Sequence, residues 1–231
     1  MRANPKLSLI VPVHNGTNYL AEALDSALSQ SRPADEIIVI DDGSDDDPAA
    51  IVARFAPARC IRQPQSGLPS TRNRGVAETT GDLIAFLDHD DLLTRHSFEA
   101  RCEALREDGS LAYVYGVVDQ FISPELDQEE RDHLRAKLPT VSGRSAGSTM
   151  IRRSAFEIVG GFAPSLRSGY MIDWVSRCEA AGLASRAIPD LVMHGRIHGS
   201  NSAHDTRALE RNYLRALREA VHRKKLTGEK Q

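Results

Sequence analysis

The sequence predicts an α/β protein: a mixed, mostly parallel central sheet flanked by helices, with a further helix at the C-terminus. Three observations carry that expectation. Apolar, β-branched runs alternate with segments of helical period through the first half. Two of the strongest runs end abruptly in acids. A late segment, 206–225, repeats apolar residues on one helical face. Strands that alternate with helices lie parallel, because the helix carries the chain back to the edge it started from.

Residues 7–13 form a continuous apolar run, read as a buried strand, and 19–29 carry Leu20, Ala23, Leu24, Ala27 and Leu28 at helical spacing. Strands are expected at 36–40, 60–63, 83–87 and 111–118. Helices are expected at 47–55 after an acidic start, at 70–79 with Ser70 as cap, and at 97–107. Beyond 118 the pattern weakens. Residues 119–145 read as an excursion containing a helix at 129–138, followed by a strand at 147–151 and a helical turn at 154–159. A helix at 172–181 precedes strands near 184–188 and 191–197. The domain is set at 1–203, divided at 118/119 where the strand–helix alternation weakens; residues 204–231 are expected to form a basic amphipathic helix and tail.

Composition excludes several classes. A net charge of −3 provides no basic excess to pair with a phosphate backbone, so no nucleic-acid partner is expected. Cys60, Cys102 and Cys178 are scattered, without paired spacing, and read as buried free thiols rather than a disulfide frame or zinc site. There is no signal-like leader and no run of about 18 apolar residues, so the chain is expected in the cytoplasm.

Acids that directly follow a buried strand belong at the rim, where α/β sheets bind ligands. One strand runs into Ile40-Asp41-Asp42-Gly43-Ser44, another into Leu87-Asp88-His89-Asp90-Asp91. Asp88 and Asp90 are two apart, so on an extended chain they face the same way. Paired hard oxygen donors suit Mg²⁺ or Mn²⁺, the ions that carry diphosphates. A solvated turn or helix cap is the rival reading, and Asp45–Asp47 fit that rival best.

At these residues the chain resembles the family 2 glycosyltransferases, whose fold is the GT-A fold. The matching pieces are Leu9-Ile10-Val11-Pro12-Val13-His14-Asn15, Val39-Ile40-Asp41-Asp42-Gly43-Ser44, Gly67 to Gly75, Phe86 to Asp91, Met150-Ile151-Arg152-Arg153, Gly160-Gly161-Phe162 and Ile172-Asp173-Trp174. Each is weak alone; their order and spacing across about residues 7–200 are specific. The resemblance implies a base pocket at Pro12, Val13, His14 and Asn15, with Asp41 and Asp42 against the nucleotide. It implies Arg72 on base or diphosphate, Asp88 near the ribose, and Asp90 and His198 on the metal, Mn²⁺ or Mg²⁺. It further implies an inverting transfer of a sugar from a nucleotide-diphosphate donor, UDP by analogy, to a carbohydrate or lipid-linked acceptor. Arg72 and Arg74 have a rival reading as solvated helix charges, and His198 as a loop histidine.

One piece departs from the pattern. Many members carry a Glu-Asp pair just after a glycine, where this chain has Tyr170 and Met171 after Gly169. The next acid, Asp173, is read as the catalytic base, against a helix-start acid facing the dipole. Trp174, the only tryptophan, is read either as core or as an acceptor-stacking ring. The basic 206–225 helix packs on the domain or touches the inner face of a membrane. The rival functions are a nucleotide-sugar binder without turnover, and a sugar-phosphate nucleotidyltransferase. The latter is disfavoured because the Pro12 to Gly16 loop lacks a basic cluster.

Overall fold

The computed structural model describes residues 5–135, 144–166, 168–199 and 221. Its eight strands form one sheet in the order β3-β2-β1-β4-β7-β6-β8-β5. β1 (Leu7–Val13) lies between β2 (Glu36–Asp41) and β4 (Leu83–Phe86), parallel to both, and β3 (Arg59–Arg62) extends this half. β7 (Thr149–Arg152) runs antiparallel between β4 and the long β6 (Leu111–Ile122). β6 pairs in parallel with β8 (Ala184–Ile197), and the two-residue β5 (Leu92–Leu93) closes the edge.

Strand period explains how this sheet is covered. Leu7, Leu9, Val11 and Val13 enter one core, together with Ile37, Val39, Leu83, Ala85 and Leu87. The intervening Ile10, Ile38, Ile40, Ile84 and Phe86 enter a second core on the opposite face. The first core is roofed by α1 (Thr17–Leu28) and α4 (Ser97–Glu107). The second is roofed by α3 (Leu68–Glu78), α6 (Arg153–Val159) and α7 (Tyr170–Ala180). α3 can sit close because Gly75 has no Cβ; one there would enter the Ile10 side chain.

Most expected elements are present within a residue or two. α2 (Pro48–Val52) is shorter than expected, with Asp47 capping it through the Ala50 N–H at 3.2 Å. Ser70 is not a cap: α3 begins earlier, after Gly67 at φ 88°. The two expected late strands are one, β8, with register shifts around Pro189, which has no N–H to give the ladder. β6 passes through the expected division at 118/119. β5 is too short to leave a periodic signal. α5 (Gln128–Arg135) lies in the expected excursion. The expected helix at 206–225 lies outside the described residues except for Val221, which is helical and exposed. Cys102 and Cys178 are buried free thiols, as expected; Cys60 is only half-buried.

Candidate active site

The parallel strands β1, β2 and β4 end at one edge, where the chain reverses its direction of travel across the sheet; such edges hold ligands. A cavity of about 160 Å³ opens there. Its walls include Pro12, Val13, His14, Asp42, Asp88 and Asp90, with Leu68 and Thr71 from α3. Whole-ligand pockets run from about 300 to 1,000 Å³, so this one has room for only part of such a molecule.

Asp42 is the most tightly organised acid in the wall. Its Oδ1 accepts from Gln63 Nε2 (2.8 Å), Ser66 N (2.8 Å) and Ser66 Oγ (3.0 Å), and its Oδ2 from Gly67 N (2.9 Å). Burial pushes its carboxyl up, but these hydrogen bonds prevail and leave it below the usual carboxylate value. Oδ2 accepts from Gly67 alone, so it retains a lone pair for one N–H of a ligand. His14 Nδ1 is 3.0 Å from the Asp42 carbonyl, which fixes the ring on the wall. Asn15 braces the loop from outside the cavity, its N–H on Ser44 Oγ (3.0 Å) and its Oδ1 accepting from Asp45 N (2.7 Å). Gly16 lies directly beneath the His89 ring, which a Cβ would strike.

Arg72 supports the wall from behind. It is 1% exposed, which ends the solvated-charge reading for it; Arg74, paired with Glu78 at 2.6 Å, retains that reading. Arg72 donates to the Asp88 carboxylate and the Tyr170 hydroxyl, with its guanidinium 5.1 Å from the Tyr170 ring centroid. It therefore meets the cavity through Asp88 rather than directly.

The acidic loop after β4 meets the end of β8. His198 Nε2 is 3.1 Å from Asp90 Oδ2, joining residues 108 positions apart. Both expected metal ligands are thus side by side. Neighbouring ligands of an octahedral Mg²⁺, each about 2.1 Å from it, stand about 3 Å apart, so the pair can share one ion. No group of three or more His, Cys, Asp or Glu among the described residues could hold a metal unaided. Phosphate and water oxygens would have to complete the shell. Asp91 lies deeper; burial, then the charges of Asp88 and Asp90, pushes its carboxyl well above the usual range.

Two expected site residues are corrected. Asp41 is 2% exposed, accepts from Ser44 N at 2.9 Å and faces Arg62 at 3.4 Å, off the cavity wall. Successive strand residues point to opposite faces, and Asp42 and Asp88 share the face roofed by α3. Trp174 is fully buried, donates to the Gly160 carbonyl at 3.0 Å and packs on Phe156 with centroids 5.2 Å apart, so it belongs to the core rather than to an acceptor. Asp173 stands in the first turn of α7, 4% exposed, with Oδ2 3.0 Å from Arg177 Nε. It does not line the cavity; Tyr170, one turn earlier, reaches Arg72 instead. Sequence reasoning missed Gln63 and Ser66, which belong to no motif and whose side chains both hold Asp42.

Comparison with known proteins gives a consistent result. The family described as glycosyl transferase family 2 matches residues 8–160. An uncharacterized glycosyltransferase of Rickettsia typhi is 30% identical over 176 residues, covering 71% of this chain and 55% of the relative. The uncharacterized glycosyltransferase YibD of Escherichia coli is 33% identical over 112 residues, covering 47% of this chain and 33% of the relative. The chain thus spans about half or less of these relatives' lengths. Among solved structures, S. aureus TarS 1-349 in complex with UDP-GlcNAc superposes with TM-score 0.74 at 16% identity, covering 94% of this chain and 66% of that one. The mannosyltransferase PcManGT from Pyrobaculum calidifontis, in complex with GDP-Man and Mn²⁺, gives TM-score 0.74 at 18% identity, covering 96% and 65%. These similarities establish a GT-A fold.

Proposed function

Because the chain belongs to glycosyl transferase family 2, we propose that it moves a sugar from a nucleotide-diphosphate donor to an acceptor hydroxyl, with inversion, using Mn²⁺ or Mg²⁺. The observation that carries this is the meeting of Asp90 and His198 beside a cavity walled by Asp42 and Asp88. The base sits between Pro12, Val13 and His14, and Asp42 Oδ2 accepts one of its N–H groups. UDP is the proposed carrier by analogy with the family, and uracil offers such an N–H. Structural neighbours hold UDP-GlcNAc and GDP-Man, which supports a nucleotide sugar in this cleft.

Asp90 and His198 would hold the cation, and an imidazole donor suits Mn²⁺ better than Mg²⁺. When bound, the cation supplies positive charge against the departing diphosphate. Arg72 keeps Asp88 turned to the ribose side by pairing with it. Asp173 is the proposed acceptor of the hydroxyl proton, and an arriving acceptor would have to displace Arg177 from it. The acceptor is carbohydrate or lipid-linked, in polysaccharide or glycoconjugate synthesis. Residues 119–203 would bind it. No helix of the described residues is long and apolar enough to cross a membrane.

The Asp173–Arg177 pair favours a second reading, a chain that binds nucleotide sugar without turning it over. One experiment separates the two: UDP release from UDP-sugars with Mn²⁺, for the native chain and Asp173→Asn. The proposed function predicts turnover that falls at least about 100-fold in the variant, within the size of general-base effects, while UDP affinity holds. Tight UDP binding with no turnover of any donor in either protein establishes the binder instead.

A further inference from the structure

Arg196 makes more contacts to the acidic loop than any role so far explains. Its backbone N–H donates to Asp91 Oδ1 at 2.9 Å and its Nε to the Asp90 carbonyl at 2.9 Å. Its Nη1 donates to Ser123 Oγ at 3.1 Å and its Nη2 to Glu22 at 2.5 Å. The guanidinium is 4.7 Å from both the Tyr19 and Phe121 ring centroids, and the residue is 4% exposed. Phe121 is its partner across the β6–β8 ladder.

The spacing of Arg196 and His198 matters. Two apart on an extended segment, they face the same way. Tyr19 covers both, its ring 4.6 Å from that of His198. Asp90 is therefore gripped twice, by its carbonyl through Arg196 and by its carboxylate through His198. The same guanidinium reaches Ser123, whose hydroxyl donates to Glu125 at 2.5 Å, and Glu125 in turn accepts from Tyr19. The start of the 123–135 excursion and the acidic loop share one buried cation.

We propose that Arg196 is a positioning residue that holds Asp90 in the orientation needed to bind a divalent cation and ties that orientation to the chain following β6. This rests on the proposed function. A lysine keeps the charge but not the planar fork or the stacking between two rings, so it cannot satisfy these partners together.

The test is Mn²⁺ affinity, read by electron paramagnetic resonance, in the presence and absence of UDP, with melting temperature recorded alongside. In Arg196→Lys, Mn²⁺ affinity with UDP present should fall about 10-fold or more, the range seen when a ligand's supporting partner is removed. UDP affinity without metal should stay within about twofold. Phe121→Leu, which leaves every hydrogen bond in place and removes one ring, should give a smaller loss in the same direction and decides the matter if Arg196→Lys does not fold. Folded variants that bind Mn²⁺ like the native chain overturn the inference and leave the proposed function standing. A native chain whose UDP affinity ignores Mn²⁺ removes both.

Discussion

The two sides of this sheet edge use acids differently. After β2 and β4, Asp42 and Asp88 leave buried strands on the face roofed by α3 and line the cavity. At the start of α7, Asp173 and Trp174 turn inward, the first to Arg177 and the second into an aromatic cluster with Phe156 and Phe162. A strand end projects its last side chains beyond the core, whereas a helix laid across the sheet buries one face along its length. The same residue type therefore opens onto the cavity in one place and is held in an ion pair in the other, from which an arriving acceptor would have to release it.

The comparison breaks most visibly at Trp174. Trp174→Ala should cost about 3–5 kcal/mol by leaving a cavity among packed rings, measured by chemical denaturation. UDP affinity of the folded fraction should not change. A variant of native stability with weakened acceptor or nucleotide binding would move Trp174 back to the site.

On the strand side the loss should appear in nucleotide binding. Asp42→Ala removes the acceptor for Gln63, Ser66 and Gly67 and for the proposed base N–H. Hydrogen bonds to a charged group contribute about 1.5–3 kcal/mol, so UDP affinity should fall about 10- to 100-fold in calorimetry. A loss below twofold would place the base elsewhere.

The smallest effect is expected at Glu125, where hydrogen bonds from Ser123 and then Tyr19 bring its carboxyl down to about 2. A depressed value stabilises the fold above the unfolded carboxylate range and loses that contribution as pH falls towards 2. The site is largely exposed, so the effect is small. Glu125→Gln should lower the melting temperature slightly at pH 7, and the gap should close between about pH 4.5 and 2. A gap that widens on acidification contradicts the assignment.

Much of this was legible beforehand because parallel strands, buried on both faces, read as unbroken apolar runs. The runs ending at Asp41 and Leu87 located the cavity edge before any geometry was known. Which of Asp41 and Asp42 faces it was not legible, since a strand's phase has meaning only once the face carrying α3 is known. Gln63 and Ser66 act by supporting another residue and leave no pattern. Trp174 left two readings open because a lone aromatic near a site motif looks the same whether it packs or stacks. β5, at two residues, falls below any period.

The central claim is that Asp90, with His198, grips the cation that carries the donor diphosphate. Its most direct test is calorimetric titration of UDP with and without Mn²⁺ for the native chain and Asp90→Ala. The account predicts Mn²⁺-enhanced affinity in the native chain that disappears in the variant, with metal-free affinity preserved. An enhancement of equal size in both proteins would contradict it.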